Sequence, residues 1–113
     1  MALTRDFRET IRADAARDPK FRAALFTEAL DAYLAGDVAA GKAALRDLVN
    51  ATIGFERLAV ELKKPSKSLH RMLAPRGNPS SKNLFEIVSA LQRQTRLKLR
   101  VSATIAKSGG NRG

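Results

Sequence analysis

The sequence predicts a small all-α protein, a bundle of short helices followed by one β-strand near the C-terminus. Three observations lead to this fold class. Apolar residues recur every three or four positions through residues 7–91, capping residues, glycines and prolines interrupt that pattern at short intervals, and the apolar period changes to two after residue 96. A chain of 113 residues provides one such domain.

The first two helices are separated at Asp18. Residues 1–17 form a predicted N-terminal helix that is capped by Thr4 and has a narrow apolar stripe. Asp18 and Pro19 supply an N-cap and a first-turn proline for the second helix, which Gly36 ends. The apolar residues of this second helix cover a broad face, so we expect it to be buried.

A third helix extends from the N-cap Asp37 to Gly54. Because a very short segment connects it to the second helix, the two are expected to pack antiparallel as a helical hairpin. Gly41 lies on the apolar face of the third helix and is small enough to let a neighbouring helix approach closely.

Residues 55–73 have the pattern of a helix-turn-helix. A supporting helix over residues 55–62 is followed by a three-residue turn and a second helix over residues 66–73, whose first turn is polar. Ala59 is small where the two helices must cross. The apolar residues expected to face the core are Leu58, Leu62, Leu69 and Met72.

Irregular segments lie on both sides of the second of these helices. The turn before it has Lys63 and Lys64 where a glycine and an apolar residue are usual, and Pro65 fixes φ at the start of the helix. The loop after it, residues 74–79, is dense in residues that cannot continue a helix.

The last helix begins after this loop and completes a helical domain over residues 18–96. Either Ser80 or Ser81 provides its N-cap. The residues of its predicted apolar side are Leu84, Phe85, Val88 and Leu91.

Residues 97–105 form a predicted β-strand, because apolar and polar side chains alternate there. A strand needs a partner for its backbone, and residues 1–96 contain no second segment of period two. The simplest partner is the same strand of a second copy, paired antiparallel across a two-fold axis. The sequence therefore predicts a homodimer with a flexible tail over residues 106–113 and an interface that includes Leu97, Leu99 and Val101.

The excess positive charge is confined to the C-terminal half. The whole chain carries a net charge of +10, yet residues 1–62 sum to −1 and residues 63–113 to +11, with Glu86 the single acid of the second segment. Like charge at this density opposes folding unless a polyanion neutralises it, and the cytosolic polyanions are nucleic acids. A solubilising basic tail would account for residues 106–113 but not for residues 63–82.

Composition also disfavours several classes of function. The chain has no cysteine and one histidine, which excludes disulfides and thiol catalysis and leaves little for a metal site or a Ser-His-Asp triad. The longest uncharged stretch is the eight residues from Leu48 to Phe55, far short of the about 20 in a membrane-spanning helix. With no catalytic constellation or cofactor motif in the sequence, we expect a cytoplasmic protein that is not an enzyme.

If the chain binds DNA, residues 66–73 are the recognition helix, which enters the major groove by its N-terminal end. Its base-reading residues are then Ser66, Lys67, Ser68, His70 and Arg71. Arg71 offers guanine a bidentate fork, and Lys67 offers a point charge. Ser66 is equally suited to capping the helix, and His70 to a solvated surface position.

Basic and polar residues near this helix are expected to contact phosphates. They are Lys63, Lys64, Arg76, Asn78 and Lys82, the last in the first turn of a helix whose free N–H groups also attract anions. Four further cations suit a partner's acidic surface as well as DNA, namely Arg93, Arg96, Lys98 and Arg100.

The competing interpretation is a basic nucleoid or RNA-binding protein without sequence preference. Single-stranded nucleic acids are bound on exposed aromatic rings. Phe85 is the one aromatic residue of the basic half, and its helical spacing predicts a core position, so the sequence favours duplex DNA. The two-fold axis of the predicted dimer would then require an inverted-repeat operator with half-sites about 34 Å apart.

Several segments together resemble a known family. They are Gly-Phe-Glu-Arg-Leu-Ala at 54–59, Lys-Ser-Leu-His-Arg-Met-Leu at 67–73 and Pro-Arg-Gly-Asn-Pro at 75–79, with the Asp18-Pro19 and Gly36-Asp37 junctions and the helix end at 50–53. Over roughly residues 17–101 the chain is similar to the helix-turn-helix antidote proteins of bacterial toxin–antitoxin modules, which are HigA-like or Xre-like regulators.

This resemblance implies a repressor of its own promoter, paired with a ribonuclease toxin of the RelE/HigB type. A strand of such a toxin is then a rival partner for residues 97–105. A solitary repressor without a toxin is the remaining alternative.

Overall fold

The computed structural model describes residues 5–106, with the backbone alone for Arg5. Six α-helices form this part of the chain: α1 Arg5–Arg17, α2 Pro19–Leu34, α3 Val38–Ala51, α4 Phe55–Leu62, α5 Ser66–Leu73 and α6 Ser81–Thr95. The all-α fold class is confirmed, and none of these six helices is long and apolar enough to span a bilayer. The predicted Thr4 cap and tail residues 107–113 lie outside the described residues.

The predicted helix starts are confirmed by capping hydrogen bonds. Asp18, Asp37 and Ser80 each accept a backbone N–H from the first turn of the helix that follows, at 2.9, 3.1 and 3.1 Å. Ser80, rather than Ser81, is therefore the N-cap of α6. Each cap satisfies an N–H group that has no acceptor within its own helix.

α2 and α3 pack closely against each other after a connection of three residues. The ring of Tyr33 on α2 covers Gly41 on α3, and a Cβ atom at Gly41 would lie 2.6 Å from Tyr33 Cδ2. The predicted role of Gly41, to permit a close approach of the second helix, is confirmed.

One hydrophobic core joins all six helices. α1 packs on α2 and α3, while α5 packs on α3 and α4, so the N-terminal helix and the two short helices share the same core. The fully buried apolar side chains include Ala15, Phe26, Leu45, Leu48, Leu58, Leu69, Leu73, Ile87 and Leu91. Leu62 and Met72, also expected to face the core, are partly buried against it.

Phe85 is 60% exposed, so its predicted core position is wrong. The buried residues of α6 are Ile87, Val88, Ala90 and Leu91. At about 100° per residue, Phe85 projects roughly 140° from the centre of that buried face. Its spacing from the neighbouring apolar residues is helical, but spacing alone does not determine which side of α6 packs against α4.

The predicted strand over residues 97–105 is not formed within the described chain. Leu97 and Leu99 pack against the core, and their N–H groups donate to the side chains of Thr95 and Gln92 at 3.3 and 2.9 Å. Residues 101–106 are exposed. Alternation marks a segment with one apolar face, but a strand exists only when a second strand accepts its backbone hydrogen bonds.

Candidate nucleic-acid interface

The turn between α4 and α5 accommodates its unusual sequence through backbone geometry. Lys63, the C-cap of α4, has the left-handed φ of 55° for which glycine is the common choice. The N–H groups of Lys63 and Lys64 donate to carbonyls in the last turn of α4. Pro65, with φ −63°, is the N-cap residue of α5. The helix, three-residue turn and second helix thus lie where the sequence predicts them.

The predicted base-reading residues differ in how far they reach solvent. Lys67, His70 and Arg71 are exposed, while Ser66 and Ser68 are partly buried. The opposite side of α5 is anchored in the core by Leu69 and Leu73. Neither Lys67 nor Arg71 forms an ion pair within residues 5–106, so both positive charges are available to a ligand.

Two predicted base-reading residues already have partners on α4. The Ser66 hydroxyl donates to Glu56 Oε2 at 3.1 Å, and it does not cap α5, because Pro65 occupies the N-cap position. The His70 ring stacks on Phe55, with ring centroids 4.0 Å apart and an interplanar angle of 23°. These contacts tie the first residues of α4 to α5.

The predicted phosphate-binding residues also differ in their exposure to solvent. Lys63, Arg76, Asn78 and Lys82 are exposed. Lys64 is partly buried, and its Nζ lies 3.6 Å from Glu86 Oε1 on α6. Lys64 therefore links the turn to α6 and has its charge partly neutralised. Of the four exposed residues, the three cations form no ion pair within residues 5–106.

Four further cations were predicted to suit either DNA or the acidic surface of a partner, and one of them is already paired within the protein. Arg93 Nη2 and Nε lie 2.6 and 3.0 Å from Glu61 Oε2, which joins α6 to α4. The other three, Arg96, Lys98 and Arg100, are exposed.

Two basic residues of α3, which sequence reasoning missed, hold the C-terminal end of α5 and the loop after it. Lys42 Nζ donates to the carbonyl oxygens of Pro75 and Gly77 at 3.0 and 2.5 Å. The Arg46 guanidinium donates to the carbonyl oxygen of Leu73, the last residue of α5. Lys42 and Arg46 are four residues apart, a visible helical spacing, but the sequence contains no sign of what lies opposite them.

The Arg46 guanidinium lies in a partly desolvated environment. Burial lowers its pKa below the ordinary value, Arg8 and Arg12 of α1 lower it further, and Asp47 acts in the opposite direction. A carbonyl acceptor in such a place replaces water that the cation has lost.

Comparison with protein-family models, with curated proteins and with solved structures found no match to this chain. The fold and the site define a small helical protein whose short helix α5 presents exposed cations that form no ion pair within residues 5–106.

Proposed function

We propose that this protein binds double-stranded DNA with sequence preference, through a helix-turn-helix formed by α4, the turn and α5. One observation carries the proposal. Lys67 and Arg71 are exposed and have no acidic partner within residues 5–106, on a helix whose other side is anchored in the hydrophobic core. A firmly anchored helix with free cations on one face suits major-groove reading.

The proposed roles follow from the availability of each side chain. Arg71 is assigned a bidentate contact to guanine, and Lys67 a contact to guanine or phosphate. Phosphate contacts are assigned to Lys63, Arg76, Asn78 and Lys82. Ser66, His70 and Lys64 rank lower, because DNA contact by these residues competes with their contacts to α4 and α6.

The proposed functional unit is a homodimer. Val101 and Ile105 are 87% and 97% exposed, and residues 97–105 of a second copy are the proposed partner strand. Leu97 and Leu99 already pack on their own core, so Val101 is the apolar contact that remains free among the three predicted interface residues. Two recognition helices related by the dimer axis would read an inverted repeat with half-sites about 34 Å apart.

A narrower form of the proposal is an antitoxin that represses its own promoter. It rests on the resemblance of residues 54–59, 67–73 and 75–79 to helix-turn-helix antidote proteins. A RelE/HigB-type toxin would then be a second partner, and co-purification with the product of a neighbouring reading frame tests this. Repression without such a partner would favour a solitary regulator.

Binding of single-stranded RNA or DNA is a second candidate function, and exposed Phe85 favours it. Lys82 precedes Phe85 by three residues on α6, so both side chains lie on one side of that helix. An aromatic ring beside a cation can stack a base and neutralise its phosphate.

A footprinting and mobility-shift experiment separates the two candidates. Three probes are compared: duplex DNA from the protein's own upstream region, a random duplex of equal length and a single strand of equal length. We expect a protected inverted repeat and an affinity for it about a thousandfold or more above the random duplex. Equal affinity for both duplexes would contradict sequence preference. Preference for the single strand, lost in Phe85→Ala, would support the second candidate.

A further inference from the structure

Lys42 is the most buried cation of the described chain, with 5% of its surface exposed. Its ammonium group forms no ion pair within residues 5–106 and is satisfied by the two loop carbonyls of Pro75 and Gly77. Removing an ammonium group from water is costly, and an apolar side chain of similar length would fill the same space without that cost. An apolar side chain would not, however, bind the loop.

Arg46 makes the equivalent contact one helical turn further along α3. It donates to the carbonyl of Leu73, the last residue of α5. The carbonyl groups at this end of α5 have no partner within the helix, and the helix dipole is negative there. Lys42 and Arg46 therefore hold two successive parts of the chain, the end of α5 and the loop, from the same face of α3.

Gly77 allows the loop to lie directly against the backbone of α5. A Cβ atom at Gly77 would overlap the carbonyl oxygens of Arg71 and Met72 in the last turns of α5. The loop thus lies against α5 at Gly77 and is bonded to α3 through the carbonyl of the same residue. Arg76 and Asn78, the two neighbours of Gly77, are exposed.

We propose that Lys42 and Arg46 are positioning residues for DNA binding, and that α3 is the third element of the DNA-binding unit. Lys42 fixes the backbone on which Arg76 and Asn78 meet phosphate, and Arg46 fixes the end of α5 that carries Arg71. The inference rests on the proposed function, because it concerns the same interface. It adds α3 to the DNA-binding unit, although Lys42 and Arg46 lie about 30 residues upstream of the carbonyl groups to which they donate.

A double-mutant cycle tests the positioning role. Lys42→Met, Arg76→Ala and the double variant are titrated with the footprinted duplex. We expect Lys42→Met to weaken binding about tenfold in the wild-type chain and clearly less in the Arg76→Ala background, because Arg76 can then no longer be misplaced and only the Asn78 contact is left to lose. A structural role unrelated to phosphate contact would instead give additive losses, and additivity would overturn the proposal.

Lys20→Met is the matched control, because it removes one exposed lysine of α2 with the same change in charge. We expect less than a twofold effect on affinity. If Lys42→Met fails to fold, Arg46→Met leaves both Lys42 contacts in place and is cycled against Arg71→Ala, with the same expectation of non-additive losses. If the wild-type chain itself does not bind duplex DNA, the proposed function fails; if it binds and Lys42→Met matches the control, only the positioning role fails.

Discussion

Arg12 Nε lies 2.9 Å from Asp47 Oδ1, an ion pair that joins α1 to α3. Arg8 donates to the other carboxylate oxygen. Asp47 is 1% exposed, so these two guanidinium groups replace water as partners of its carboxylate oxygens. Asp47 is also the neighbour of Arg46, which bonds the end of α5, and the N-terminal helix is therefore attached to the same part of α3 that holds the candidate interface.

The first prediction concerns this buried carboxylate. Asp47→Asn should lower the free energy of unfolding by about 1–3 kcal/mol, because two partly buried guanidinium groups lose their counter-ion. Urea denaturation measures the change. Asp14→Asn is the control, since it removes an exposed i,i+3 pair with Arg17 and should cost less than about 0.5 kcal/mol. Equal losses of unfolding free energy in the two variants would mean that burial does not make the Asp47 ion pairs more stabilising than an exposed pair.

The second prediction uses two glycines with opposite environments. Gly77→Ala should destabilise the chain by about 1–3 kcal/mol and weaken duplex binding, because the new Cβ overlaps backbone carbonyls that cannot rotate away. Gly36 has a φ of +87° and open space around it, so Gly36→Ala should cost about 1–2 kcal/mol of backbone strain and leave DNA binding unchanged. Paired denaturation and binding titrations distinguish the two. A loss of affinity in Gly36→Ala would show that instability alone weakens binding.

The third prediction separates base reading from phosphate contact. Arg71→Ala should cost about 1–3 kcal/mol on the cognate site and relax base preference at one position. Lys82→Ala should weaken all duplexes alike and reduce the magnitude of the log–log salt slope by about 1. Titrations of both variants at several salt concentrations, on cognate and random duplexes, give these quantities. The reverse pattern would exchange the two roles.

The fourth prediction concerns the proposed dimer. A chain that ends at Arg100 keeps the packing of Leu97 and Leu99 but lacks the exposed residues 101–106. Sedimentation should show a monomer, and tight operator binding should be lost. A chain that ends at residue 106 keeps the whole predicted strand and should remain a dimer. Dimerisation of the chain that ends at Arg100 would place the two-fold axis elsewhere.

The fifth prediction is a pH dependence. Burial raises the pKa of Tyr33 above its ordinary value. The folded state therefore holds the phenolic proton more tightly than the unfolded state. This group leaves stability unchanged below about pH 10, the pKa in the unfolded state, and lowers stability as the pH rises from there through the raised pKa of the folded state. Tyr33→Phe should remove this alkaline loss. At neutral pH it should change stability little, since the hydroxyl has no hydrogen-bond partner within the described residues. Thermal melts of both chains at neutral and alkaline pH test the prediction, and parallel losses would contradict it.

Local features of this protein were predictable because they depend on residues close together in the chain. Asp18, Asp37 and Ser80 cap their helices through hydrogen bonds that span two or three residues. The exposure of Lys67 and Arg71 follows from the buried spacing of Leu69 and its neighbours on α5. Such relationships depend only on residues that are near one another in sequence, so they can be predicted without knowledge of the tertiary structure.

Other features required the tertiary structure, because their partners are far apart in sequence. Lys42 and Gly77 are 35 residues apart, as are Arg12 and Asp47. The exposure of Phe85 depends on which side of α6 packs against α4. The sequence by itself determined where α2 to α5 begin and which short helix presents cations. Only the packing of α3 against α5 decided what holds that helix in place, because a buried charge is satisfied by whichever backbone atoms the fold brings to it.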